Sequence, residues 1–227
     1  MYGDVPTGSL VLVDGWNHYL AAMRCFGYKM AVQFPIDRLA ASLTTQTKAE
    51  AVIDVAVVMA LPNRHDPAEQ PEFWTWRSRL NRLHNYGVRH EKARFRYESL
   101  KCSACEHELA RVVECERCAT PHPLAGRRKE KGADIKIAAL ALDGAWLASY
   151  STLILLSQDS DFGPLVQQLK EVHRRQDRWY DLYSAYPVCS QAGHEHRSVP
   201  GTKPLEITEE DYAMLASRPL RDPRAAG

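Results

Sequence analysis

The sequence predicts an α/β protein built on a mostly parallel sheet, and three features carry that prediction. Short apolar, β-branched runs (Leu10-Val11-Leu12-Val13, Ala51 to Leu61, Leu153 to Leu156) read as strands buried on both faces. Segments with apolar residues at helical spacing separate them. Acids close the strands, with Asp14 after the first run and Asp159 and Asp161 after Ser157 at the end of the third. Alternation of this kind implies right-handed crossovers and a sheet flanked by helices.

Ser9 to Val13 is the first strand. Gly15 to Met30 follows, with Trp16, Leu20 and Met23 at helical spacing and a break near Gly27. Pro35 sits in the first turn of a helix whose apolar face is Ile36, Leu39, Ala40 and Leu43. Ala51 to Leu61 is a central strand and Pro62 to Pro71 a polar loop. Glu72 to Tyr86 is a helix (Phe73, Trp76, Leu80, Leu83) stopped by Gly87. Val88 to Tyr97 alternates as one strand. After an interruption from Lys101 to Gly126, Asp134 to Tyr150 is helical, Thr152 to Ser157 a buried strand, Gly163 to Arg174 a helix and Arg178 to Ala185 a last strand. Tyr186 to Pro204 reads as a loop rich in Gly, Ser, Pro and His. Ile207 to Ala216 reads as a closing helix with Thr208 as N-cap and Glu209-Glu210-Asp211 in its first turn. Residues 217–227 are expected to form a flexible tail.

The chain has 227 residues, 45% of them hydrophobic, enough for a full core. A formal charge of +1 gives no global attraction to a polyanion, so affinity for nucleic acid would have to come from local patches. No apolar stretch approaches the ~20 residues that span a bilayer, and the start Met1-Tyr2-Gly3-Asp4 lacks a basic and then apolar leader. The expectation is a cytoplasmic protein without membrane contact.

Four of the six cysteines form two C-x-x-C pairs, Cys102/Cys105 and Cys115/Cys118, with nine residues between the pairs. That spacing suits a tetrathiolate Zn²⁺ site, each pair supplying one knuckle. Four reduced cysteines or an iron–sulfur site are the alternatives, and a compact closed ribbon favours zinc. With sulfur filling all four positions no place is left for water, so such a zinc is structural. Cys25 and Cys189 read as isolated thiols. His194 and His196 with Cys189 are too loosely spaced for a second metal site.

A carboxylate placed just after a buried parallel strand lands at the strand's carboxyl end, where open sheets keep their ligand crevice. Two such strands side by side bring Asp14, Asp159 and Asp161 together, and Asp134 opens a helical segment nearby in the chain. Crowded carboxylates repel unless a cation neutralises them, and hard oxygen ligands select Mg²⁺ or Mn²⁺. One aspartate after a strand is usually a turn former or N-cap. Asp159 and Asp161 both precede the helix at Gly163, where capping needs one of them. Asn17 serves either to orient a ligand or to bond the backbone at its helix start. Asp143 lies out of phase with Asp134, and Asp54, inside a strand, reads as a buried structural partner.

Asp14-Gly15-Trp16-Asn17, Lys131-Gly132-Ala133-Asp134 and Ser157-Gln158-Asp159-Ser160-Asp161-Phe162-x-Pro164-Leu165 together resemble the NYN domains, PIN-like nucleases of the LabA type. The match runs in order over about residues 9 to 185. The resemblance implies a PIN-like three-layer α/β/α sandwich with a mostly parallel central sheet, formed by residues 1–100 and 127–216; the zinc ribbon expected at 101–126 from its cysteine spacing is an insertion outside the family's minimal domain. It implies a metal-dependent ribonuclease, acting within the chain of its substrate, with Asp14, Asp134, Asp159 and Asp161 as Mg²⁺ or Mn²⁺ ligands and Asn17 beside them. Gln158 stands where the family often has glycine.

RNA is the implied partner. Arg127, Arg128, Lys129 and Lys131 just before Asp134, and Arg174 and Arg175 after His173, are the candidate phosphate contacts, a solvated basic loop being the plainer reading of the first group. Trp16, Trp74 and Trp76 either stack bases or belong to the core. The alternative function is a non-catalytic RNA- or protein-binding regulatory module of the same fold. A phosphatase of the haloacid dehalogenase kind needs Asp-x-Asp after the first strand, and position 16 is Trp. A toxin or defence nuclease held in check by a partner protein, and a homo-oligomer, are both compatible with the sequence.

Overall fold

A computed structural model describes residues 7–97, 112–114, 121–123, 128–190 and 197–217. The chain runs through β1 (Gly8–Asp14), α1 (Gly15–Phe26), α2 (Tyr28–Ala31), α3 (Ile36–Thr45), β2 (Ala51–Met59), α4 (Gln70–His84), β3 (Val88–Lys92) and β4 (Arg94–Tyr97). It continues through β5 (Val112–Glu114), β6 (Pro121–Pro123), β7 (Arg128–Lys131), α5 (Ala133–Trp146) and β8 (Thr152–Leu156). A 3₁₀ turn (Ser160–Phe162), α6 (Gly163–Gln176), β9 (Asp181–Pro187), β10 (Lys203–Ile207) and α7 (Glu209–Ser217) complete it.

Six strands form one parallel sheet in the order β10-β9-β8-β1-β2-β3. All seven residues of β1 and all five of β8 are buried, which explains their unbroken apolar sequences. Alternate side chains divide between two cores. Val11, Val13, Val57 and Leu156 face α1, α3, α4 and α7 through Tyr19, Phe26, Leu39, Trp76 and Tyr212. Leu10, Leu12, Val58 and Leu155 face α5 and α6 through Ile137, Ala141, Leu165 and Leu169. Helices therefore cover both faces, and the molecule is a three-layer α/β/α sandwich with a parallel central sheet, as the sequence predicts.

Three elements differ from the sequence reading. Residues 88–97 are two strands, because β3 pairs with β2 only as far as Met59, where β2 ends. The Ala93 N–H makes a last bond to the Met59 carbonyl at 3.3 Å, and β4 then leaves the sheet to pair antiparallel with β7. Residues 128–131, read as a basic loop, are the second strand of that ribbon. Within the presumed loop 186–204 and just beyond it lies β10, an edge strand in which only Leu205 and Ile207 are buried. An edge strand tolerates Pro204 because one side of its ladder is unpaired. The closing helix consequently starts at Glu209, with the Thr208 hydroxyl accepting the Asp211 N–H.

Cys25 and Cys189 are not isolated. They form a disulfide with Cα atoms 5.2 Å apart, joining the end of α1 to the residues just after β9. Cys102, Cys105, Cys115, Cys118, Arg127, His194, His196 and the tail from 218 lie outside the described residues. β5 pairs antiparallel with β6. Among the described residues no helix is long and apolar enough to cross a membrane.

Gly15 fixes how closely α1 approaches the sheet. A Cβ at this position would stand 2.8 Å from Cβ of Met59, an atom that cannot move without β2. Gly15→Ala is therefore expected to lose about 1–3 kcal/mol in urea-unfolding measurements despite the better helix propensity of alanine. A neutral result would show that α1 can lift from β2 freely.

Candidate active site

The strand order reverses between β1 and β8: from β1 the chain builds outward through β2 to β3, then returns to the other side of β1 and builds through β9 to β10. Such a switch point opens a crevice at the carboxyl ends of the two strands. Val13 pairs with Leu156, so Asp14 and Ser157 leave the sheet side by side. Asp14 is 5% exposed. Its Oδ1 caps α1 by accepting the Asn17 N–H at 3.2 Å, and the Ser157 hydroxyl lies 3.5 Å from Oδ2. Asn17 Oδ1 accepts the Gln158 N–H at 3.2 Å, so Asn17 ties the first helix to the loop after β8 instead of bonding its own helix start.

That loop is shaped by local bonds. The Asp159 N–H donates to Ser157 Oγ at 3.1 Å, and Asp159 Oδ1 accepts the Asp161 N–H at 2.9 Å, capping the 3₁₀ turn. Asp159 thus does the capping, while Asp161 is exposed and uncommitted to a cap. Asp134 lies in the first turn of α5, where the helix dipole favours an anion. Asp143, exposed near the far end of α5, is remote from this cluster, and Asp54 pairs with Arg89 at 3.0 Å on β2.

Glu130 is a fifth carboxylate, and the sequence analysis missed it. In β7 the residues alternate inward and outward, so Arg128 and Glu130 are half-buried while Lys129 and Lys131 are exposed. Glu130 Oε1 accepts the Ala60 N–H just beyond β2, and its charge is felt alongside those of Asp14 and Asp134. It stands within a run of Arg and Lys. Only the strand's period of two marks it, and that period follows from pairing with β4.

The acids are strained electrostatically. Burial pushes Asp14 up to about 7, reinforced by Asp134 and Asp159 and opposed by the Asn17 N–H and the Ser157 hydroxyl. Burial also raises Glu130 to about 7, with Asp14 and Asp134 adding to it and the Ala60 N–H and Arg128 opposing. Asp134 is raised by burial, then by Asp159 and Asp161. A divalent cation would relieve this repulsion, and the donor set, all hard oxygen, fits Mg²⁺ or Mn²⁺. Among the described residues no three acidic, histidine or cysteine side chains stand close enough to hold one ion directly. Mg²⁺ commonly keeps several waters and takes only one or two carboxylates directly.

The candidate phosphate contacts separate into two kinds. Arg128 is built into the fold: its guanidinium makes a two-pronged pair with Glu72 at 2.9 and 3.0 Å and lies 4.3 Å from the Phe95 ring centre. Lys129 and Lys131 point outward. Arg174 and Arg175 are exposed but share Glu171, at 2.7 and 2.8 Å. Trp16 and Trp76 are packed edge to face, 5.4 Å between centres, and the Trp16 Nε1–H donates to the Ala60 carbonyl at 2.9 Å. They belong to the core. Trp74 is 58% exposed.

The NYN domain family model matches residues 9–177 of this chain. No curated protein matches it. A crystal structure of a protein of unknown function from Vibrio parahaemolyticus is similar at 17% identity, with 82% of this chain and 85% of that one covered and a TM-score of 0.42. With the larger part of its length matched, the chain belongs to the NYN domain family, which lies within the PIN-like nuclease superfamily.

In metal-free buffer the folded chain holds a proton on Asp14 up to about pH 7, whereas the unfolded chain releases it at its ordinary value of 3.8. The native state binds more protons across that window, so this site lowers stability progressively as pH rises from about 4 to 7. Asp14→Asn is expected to be more stable than wild type at pH 8 by on the order of 2–4 kcal/mol, and to show little gain at pH 4. Thermal melts with a chelator at the two pH values measure this. A gain of equal size at both would show that Asp14 carries no such penalty.

Proposed function

We propose that this protein is a metal-dependent ribonuclease that hydrolyses internal RNA phosphodiester bonds at Asp14, Asp134, Asp159 and Asp161, with Glu130 as a further carboxylate of the same site. The observation that carries the reading is the convergence of acids from β1, from the loop after β8 and from the first turn of α5 at the point where the strand order reverses. Family membership supports the nuclease chemistry at a coarser level.

A bound Mg²⁺ or Mn²⁺ would supply an acidified water and neutralise charge on the scissile phosphate. Asp14, Asp134, Asp159 and Asp161 are the residues that would hold it. The chain's own contribution is placement. Asn17 and Ser157 lock Asp14 to the β8 loop, and Asp159 fixes the 3₁₀ turn that carries Asp161. Outward-facing Lys129 and Lys131 lie immediately before Asp134 and are suited to phosphate oxygens, whereas Arg128 supports the ribbon beneath them. Buried Asp14 and half-buried Glu130 take up protons readily when no cation is present, so metal binding should strengthen as pH rises toward 8.

The C-x-x-C pairs of residues 102–118 are read as a structural zinc site inserted between β4 and β7, on the strength of their spacing. Metal analysis of the purified protein is expected to give one zinc per chain, lost in Cys102→Ser and Cys115→Ser. Protein with full cysteine reduction and no zinc would remove this part of the reading.

Labelled single-stranded and structured RNA, incubated with Mn²⁺ or Mg²⁺, tests the main proposal. Wild type should cut, and Asp14→Asn and Asp159→Asn should each lose activity by roughly a hundredfold or more. Folded protein that binds RNA yet cuts none of it with either metal would favour a non-catalytic binding module.

A further inference from the structure

At the other end of the sheet lies a cleft that the proposed nuclease centre does not use. It encloses about 750 Å³ between the last turns of α6, the turn 177–180, the start of β9 and the residues leading into β10. The acidic site sits at the carboxyl ends of the strands, and this cleft sits at the amino end of β9. The 14 residues of α6 separate the two by about 20 Å.

Its lining combines cations with one exposed ring. Lys170, Arg174, Arg178 and Lys203 face Asp177 and Asp181, and Asp181 is already paired with Lys203. Trp179 is 81% exposed, more than any other large hydrophobic residue of the described structure. Beneath it the wall is rigid: Tyr180 is 2% exposed, stacks on His173 with ring centres 4.0 Å apart, and donates its hydroxyl to the Ala145 carbonyl at 3.1 Å. His173 is 7% exposed, and its Nε2 has no hydrogen-bond partner. Gly201, with φ of +85°, completes the rim. That backbone conformation suits glycine, and a Cβ there would also stand 3.0 Å from Lys170 Nζ and 3.1 Å from Val166 Cγ1.

We propose that this cleft binds a single-stranded segment of RNA, stacking one base on Trp179 and holding its phosphates with Lys170, Arg178 and Lys203. The proposal rests on RNA being the ligand of the molecule, as argued above. An accessible aromatic face set among cations is how proteins hold single-stranded nucleic acid without reading its sequence. The cores of protein–protein interfaces are depleted in lysine, and two lysines line this cleft. RNA leaving the acidic site along α6 would reach the cleft after about six nucleotides, at ~3.4 Å per stacked base.

Fluorescence anisotropy with a labelled unstructured RNA of about twelve nucleotides, long enough to span both sites at ~3.4 Å per base, tests this in chelator-containing buffer. Trp179→Ala should weaken binding by about tenfold, with Trp179→Phe recovering most of it. Lys170→Glu should weaken binding and flatten its dependence on salt. A trinucleotide, too short to reach the cleft, should be cut by Trp179→Ala at the wild-type rate. Unchanged binding of the longer RNA in both Trp179→Ala and Lys170→Glu, each shown to be folded by circular dichroism, overturns the cleft and leaves the nuclease centre standing. Binding that depends on Trp179 in a protein that cuts nothing supports the cleft and removes the nuclease reading instead.

Discussion

Parallel pairing of β1 with β8 obliges the chain to travel from residue 14 to residue 152 and come back to the same strand, on the edge opposite β2. Everything between is the means of that return, and everything after extends the sheet the other way. The result is a sheet whose direction of growth reverses at its centre, with two loops diverging from adjacent strand ends. Asp14 and Asp159 are close because of that reversal and not because of any contact between them. The Asn17 and Ser157 bonds across the gap then hold the two loops in register.

The price of the arrangement is electrostatic. Asp14 is buried between two helical layers and near other acids, a position that stabilises no fold by itself. A carboxylate in such surroundings is stable only when protonated or when a cation is nearby. Glu130 repeats the same strain from a different element, so the ribbon strand β7 shares in the site even though it belongs to a separate sheet.

Much of this could be read from the chain before any coordinates. β1, β2 and β8 are central and covered on both faces, so their apolar runs are long and unambiguous, and the acids that follow them need only the parallel topology to be located. What escaped depends on partners distant in sequence. β10 carries just two buried side chains and a proline, because an edge strand faces fewer neighbours. Glu130 and Arg128 acquire their orientation from pairing with β4, and Arg128 meets Glu72 across 56 residues. The disulfide joins residues 164 apart in the chain, for which no local pattern exists. Trp179 stands in a short turn without periodicity, and its setting arises only when α6, β9 and β10 meet.

The antiparallel ribbon of β4 and β7 has a meaning for how such a protein can change over evolutionary time. Its register, from Arg94 opposite Lys131 to Tyr97 opposite Arg128, brings the chain back beside itself between residues 97 and 128. Residues 97 and 128 are thereby fixed to each other independently of the sequence between them. That makes the position a socket: segments of different length and chemistry can be exchanged there while the central sheet and its acids keep their places. Because one arm of the socket carries Glu130, any new module seated in it arrives next to the acid cluster, where selection can act on it at once.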